Sequence, residues 1–174
     1  MRDDAGLRKH LIDLLEGGKA HITFEDAVKG FPVEQAGIRP AGSPHSAWEI
    51  LEHLRIAQED IMRFSGGMAA HLPAGKQAPE GYTELKWPGD YWPASPAPED
   101  GAAWRHSVQA IRRDLGRFVK LIEDPSRDLL APFPWGDGQT LLREAFLIAD
   151  HNAYHLGQIM LVRRMLENGG TEGR

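Results

Sequence analysis

The sequence predicts an all-α fold: a four-helix bundle with a long loop, rich in proline and aromatic residues, between its second and third helices. Three observations lead there. Apolar residues recur at helical spacing in four long stretches. Clusters of glycine and proline punctuate those stretches. No segment alternates apolar and polar residues strongly enough to argue for a strand. Four amphipathic helices, one long crossover and no sheet are the signature of a bundle.

The first helix is expected over residues 4–29, where Leu7, Leu11, Leu14 and Leu15 form a stripe that Phe24, Ala27 and Val28 continue. Gly17 and Gly18 weaken its middle, and Gly30 with Pro32 stop it. The second is expected to start near Ser43 as N-cap, with Pro44 at the first helical position. Ser46 and Glu49 offer a capping box one turn later. Ala47, Ile50, Leu51, Leu54, Ala57, Ile61 and Phe64 make its apolar face, and Gly66 and Gly67 end it. Residues 68–98 hold Pro73, Pro79, Pro88, Pro93, Pro96 and Pro98, which exclude a long helix or a central strand. The interleaved Tyr82, Trp87, Tyr91 and Trp92 favour a packed loop, and long loops in compact domains are usually functional. The third helix is expected over 98–124, with Trp104, Val108, Ile111, Leu115, Phe118 and Ile122 as its stripe. The fourth is expected over 140–168, with Leu141, Ala145, Ile148, Ile159, Val162 and Leu166 on one face and Gly169 and Gly170 as its stop.

A length of 174 residues and a hydrophobic share of 41% suit one domain, 1–174, with a full core. The net charge of -5 argues against a nucleic-acid partner, whose phosphates demand clustered cations. There is no cysteine, so disulfides, thiolate metal sites and a cysteine nucleophile are excluded. The charged N-terminus has no apolar leader, and no apolar run is long enough to span a membrane. A cytoplasmic protein with a small-molecule partner is the expectation.

With eight histidines and no cysteine, imidazole chemistry is the natural place to look. His151 and His155 stand four apart on the last helix, so both rings share one face about a turn apart. They lie between Ile148 and Ile159 and point into the bundle. Neutral imidazole binds zinc, nickel, copper or iron. The residues between them are Asn152, Ala153 and Tyr154, so the glutamate of a zincin-type protease is missing. His53, at the edge of the second helix's apolar face, is the best third ligand. His45 lies roughly 12 Å away along that helix. His10, His21, His71 and His106 have no paired spacing. The competing reading is a metal-free bundle with hydrogen-bonded core histidines.

The segment Asp150-His151-Asn152-Ala153-Tyr154-His155-Leu156-Gly157-Gln158 resembles the last-helix signature of the DinB-like family. Ser46-Ala47-Trp48-Glu49-Ile50-Leu51-Glu52-His53-Leu54 resembles its second helix, and residues 138–144 and 87–93 are similar to other parts of that group. The resemblance implies a metal-binding four-helix bundle, commonly a homodimer, with His53, His151 and His155 as ligands. It implies a divalent ion, zinc first, with nickel, manganese or iron as alternatives. Relatives described as thiol S-transferases and metal-dependent hydrolases set the expected chemistry.

Three neutral histidine ligands leave an open position, the catalytic arrangement of zinc. An ion so held activates a bound thiol or water. Because the chain has no cysteine, a thiolate must come from a low-molecular-weight cosubstrate. A thiol S-transferase is therefore expected, with a hydrolase or a non-catalytic metal-binding stress protein as alternatives. Glu49, one turn before His53, is the candidate acid/base, against the plainer role of a cap; Asp150, beside His151, is a further carboxylate there. Trp87, Tyr91 and Trp92 are candidates for a lid or pocket wall, and Tyr154 and Gln158 for polar groups at the site. Arg163 and Arg164 are expected to complement the dipole of the last helix.

Overall fold

The computed structural model describes residues 4–67 and 77–169. Met68, His71, Pro73 and Gly170, which figure in the sequence reading, lie outside the described residues. The described residues form five α-helices and no strand: α1 (Ala5–Glu16), α2 (Phe24–Val28), α3 (Ala47–Phe64), α4 (Gly101–Glu123) and α5 (Leu141–Gly169). Single 3-10 turns occur at Val33–Gln35 and Gly89–Tyr91.

The helix expected over 4–29 is broken in two. Gly17 and Gly18 both take positive φ, 74° and 80°, which an α-helix cannot accommodate. The chain restarts at Thr23, whose side chain accepts a hydrogen bond from the Asp26 amide at 3.1 Å and caps α2. The start of α3 also differs from expectation. Ser46, not Ser43, is the N-cap: its hydroxyl accepts from Glu49 N at 3.1 Å, and Glu49 Oε2 accepts from Ser46 N at 2.8 Å. That reciprocal box satisfies two amides that Ser43 would have left open. Asp100 caps α4 by accepting from the amides of Ala102 and Ala103.

Four helices close a ring. α1 packs against α4 and α5, and α3 packs against the same two, so α1 and α3 sit on one diagonal and α4 and α5 on the other. The short α2 lies against α5. Arg163 of α5 reaches the carbonyl of Lys29 at 2.9 Å, so it caps the end of α2 rather than its own helix.

The core divides into two apolar clusters. One holds Leu51, Leu54, Ile111, Leu156 and Ile159. The other holds Leu11, Met62, Phe118, Ile122 and Ile148. Between them runs a polar waist. Gln58, almost fully buried, donates to the Ile111 carbonyl at 2.7 Å and accepts from Asn152 at 3.0 Å. Its polar atoms are thus paired, which is the condition for burying them. The histidines occupy this same level of α3 and α5.

Arg8 of α1 ties the ring at the far end. Its guanidinium donates to the carbonyls of Ile122 and Arg127 at 2.6 Å each and of Asp124 at 3.0 Å. It therefore caps the C-terminus of α4, where the dipole favours a cation. Removing it leaves buried carbonyls unpaired. Arg8→Ala is expected to cost about 2–4 kcal/mol in urea denaturation, whereas Lys9→Ala, on the exposed face, should cost little.

Candidate metal centre

His53 on α3 and His151 and His155 on α5 meet in the seam between those helices. One ring nitrogen from each lies within 4.8 Å of the other two. Nε2 of His53 and Nε2 of His151 are 3.0 Å apart. Two imidazole nitrogens on one tetrahedral zinc, each about 2.0–2.1 Å from it, stand roughly 3.3 Å apart, so the spacing suits a shared ion. Among the described residues, no other set of three histidines or carboxylates converges this way.

The surrounding groups fix which nitrogen faces the centre. His53 Nδ1 lies 2.8 Å from the carbonyl of Tyr91. A carbonyl only accepts, so Nδ1 carries the proton and Nε2 keeps its lone pair. His155 Nδ1 donates in the same way to Gln158 Oε1 at 2.6 Å. Such partners set tautomer and ring orientation in metal sites. Gln158 follows His155 by three residues on α5, so helical geometry alone supplies this bond.

Burial keeps the rings neutral. It pushes His151 down to about 3 and His155 down to about 4, with the neighbouring imidazoles lowering both further. His53 is lowered as well, mainly by burial. At neutral pH no proton competes for the lone pairs, which is what a divalent ion requires. The donor set and its surroundings therefore fit a metal ion.

The long loop completes the site. Trp92 stacks on His53 with ring centroids 4.1 Å apart and planes 4° from parallel. His45 stacks on Trp92 at the same distance, 14° from parallel. Two rings that close to the same face would collide, so Trp92 is sandwiched between the histidines. His45, at the start of α3, is thus coupled to the site through an indole and contributes no ligand atom. Tyr91 anchors the loop a second time, its hydroxyl donating to Asp60 Oδ2 at 2.7 Å.

A cavity of about 490 Å³ opens beside His53 and His151. Trp87 and Tyr91 line it. Trp92 and Tyr154 do not: Trp92 packs on His53, and Tyr154 lies largely exposed with its ring edge toward His155. Glu49 also stands apart from the cavity, its carboxylate occupied by Arg39 and by the Ser46 amide. Asp150 is exposed on the outer side of α5. Sequence reasoning missed the carboxylates that line the cavity, among them Asp60 and Glu144 on the helices that carry the histidines. The signal was present: Asp60 is seven residues after His53 and Glu144 seven before His151. Seven residues is two helical turns on the same face.

A family model described as the DinB superfamily matches residues 19–159, well over half of the chain. The chain belongs to the DinB superfamily. The match runs from just before α2 into α5 and takes in all three clustered histidines. No curated protein and no solved structure matches the chain. The all-helical architecture agrees with the DinB fold, and the histidine cluster is the feature of this DinB chain that can hold a metal.

The depressed histidines give a pH test on metal-free protein. Unfolded imidazoles titrate near 6.5, whereas His155 and His151 in the fold wait until about 4 and about 3. Between those values the unfolded chain binds protons that the folded chain refuses, so stability falls as the pH falls. Denaturant midpoints should drop between about pH 6.5 and pH 4, and His151→Asn should make that slope shallower. An unchanged slope in the variant would mean that His151 protonates without unfolding.

Proposed function

We propose that this DinB-superfamily chain is a metal-dependent enzyme that activates a low-molecular-weight thiol for transfer to an electrophile. One observation carries the reading: three imidazoles converge within 4.8 Å of one another, His53 and His155 with Nδ1 bonded outward, and His53 and His151 line a cavity of about 490 Å³. That volume lies in the range of small-molecule sites. His53, His151 and His155 would hold a divalent ion, zinc first, through nitrogens that Tyr91 and Gln158 leave free. When bound, such an ion lowers the pKa of a thiol or water at its open position. The chain supplies no thiol of its own, which points to a thiol cosubstrate. Its side chains position the reactants: Trp92 and the Tyr91 carbonyl hold His53, while Trp87 and Tyr91 wall the cavity.

A hydrolase is the second reading, favoured by Asp60 and Glu144. Burial raises both carboxyls, and both line the same cavity, where a carboxyl group can exchange a proton with a bound substrate. A homodimer is proposed from α5, which leaves Phe146, Tyr154 and Leu161 exposed at spacings of two turns. Among the described residues no helix is long and apolar enough to cross a membrane.

Elemental analysis of untagged protein, dialysed against metal-free buffer, is the deciding experiment. About one divalent ion per chain is expected, and His155→Ala should lose it. Gln158→Ala should retain the site with an affinity weakened about 10–100-fold. Thiol-transfer assays on the loaded protein then separate the readings: turnover with thiols supports the transferase, and ester or amide cleavage without a thiol supports the hydrolase. Protein that takes up neither zinc nor nickel at micromolar levels would sink both.

A further inference from the structure

The charged groups lining the cavity beside the histidines are mostly acidic. Asp60, Glu84, Asp137 and Glu144 line it, against one guanidinium, Arg143. Arg143 is bound to Glu144 at 2.7 Å, and its side chain is more than half exposed. No ion pair to Asp60, Glu84 or Asp137 occurs among the described residues; the nearby Arg63 pairs with Glu59 and Arg55 with Glu52 and Glu59. Aromatic side chains fill in between the charges: Phe64, Tyr82, Trp87 and Trp135.

We propose that this cavity binds an organic cation, a small molecule whose ammonium group rests against Asp60 and Glu144 while its other end reaches the histidine cluster. The inference rests on the reading of that cluster as the reactive centre for deciding which end of the molecule reacts. An acidic cavity alone would also suit a second metal ion. These carboxylates are not arranged for one, since among the described residues only the histidines bring three ligand atoms within 4.8 Å of one another. Carboxylates spread around an aromatic-walled space of this volume instead match a charged organic group, which aromatic faces also attract.

The spacing sets the ligand's length. Asp60 and Glu144 each stand two helical turns from a clustered histidine, in the same direction along the antiparallel α3–α5 seam. That is roughly 10 Å along the axis. A molecule with a charged head and a reactive tail several bonds away spans it. The Tyr82 hydroxyl is pushed up to about 12 by burial and then by Asp60, Glu84 and Glu144. Burial also raises Glu144, against the lowering effect of Arg143, and Asp60 adds a smaller push upward.

Binding of 2-phenylethylammonium, 2-phenylethanol and 3-phenylpropionate to the zinc-loaded protein tests this by calorimetry. The three share a ring and differ in terminal charge. The ammonium compound should bind at least about tenfold tighter than either of the others and weaken with salt. Asp60→Asn should reduce the preference. Glu84→Gln should reduce it too, and Glu84 is exposed, so that variant tests the charge without disturbing the core. Equal binding of the three, or tightest binding of the carboxylate, overturns the proposal. A separate arm keeps the reactive-centre reading distinct: hexanethiol added to cobalt-substituted protein should give a sulfur-to-metal charge-transfer band. Ammonium preference without that band leaves the cation site standing and overturns the thiol reading; the band without the preference does the reverse.

Discussion

Three neutral imidazoles, with one ring nitrogen of each within 4.8 Å of the other two, are the constraint around which the site is arranged. Rings from two helices meet this closely only where a frame holds them. The frame is the α3–α5 seam, at the level where the two apolar clusters of the bundle are separated by a polar layer. Gln58, Asn152 and the Ile111 carbonyl satisfy one another there, so the layer can be buried without loose ends. Burial then keeps the rings neutral, and the outer hydrogen bonds from Nδ1 of His53 and of His155 turn their other nitrogens inward.

Helices and loop divide the work. α3 and α5 set the spacing of the rings, because helical geometry fixes residues three, four and seven apart. The loop before α4 holds His53 from outside through a backbone carbonyl and an indole face, and it walls the cavity through Trp87 and Tyr91. Tyr91 joins both tasks: its carbonyl orients a candidate ligand, and its hydroxyl is bonded to a carboxylate in the cavity. The DinB-superfamily match covers this whole assembly.

Much of this was legible in the residue pattern, and the remainder was not for physical reasons. The pairing of His151 with His155 follows from a four-residue spacing, and the placement of His53 from the edge of an apolar face. Both depend on helix period, which sequence displays directly. Helix ends were harder. Gly17 and Gly18 were visible as weak points, but whether a helix survives them depends on the packing beyond. Ser43 and Ser46 both look like caps, and only the reciprocal bond with Glu49 decides between them. The same bond explains why Glu49 looked catalytic: it sits one turn from His53 because it closes the cap of that helix. The Tyr91 contact could not be read at all, since its functional atom is a carbonyl that every residue carries.

The sandwich of Trp92 between His45 and His53 has an optical consequence. Indole emission responds to charge and polarisability on the rings stacked against it, and here one of those rings is a candidate ligand. A change in the electron density of His53 passes directly to the fluorophore, with no movement of the chain required. Trp92 is thus placed, among the five tryptophans, to report on an ion that the histidine cluster would hold, through the same stacking that keeps the loop in place.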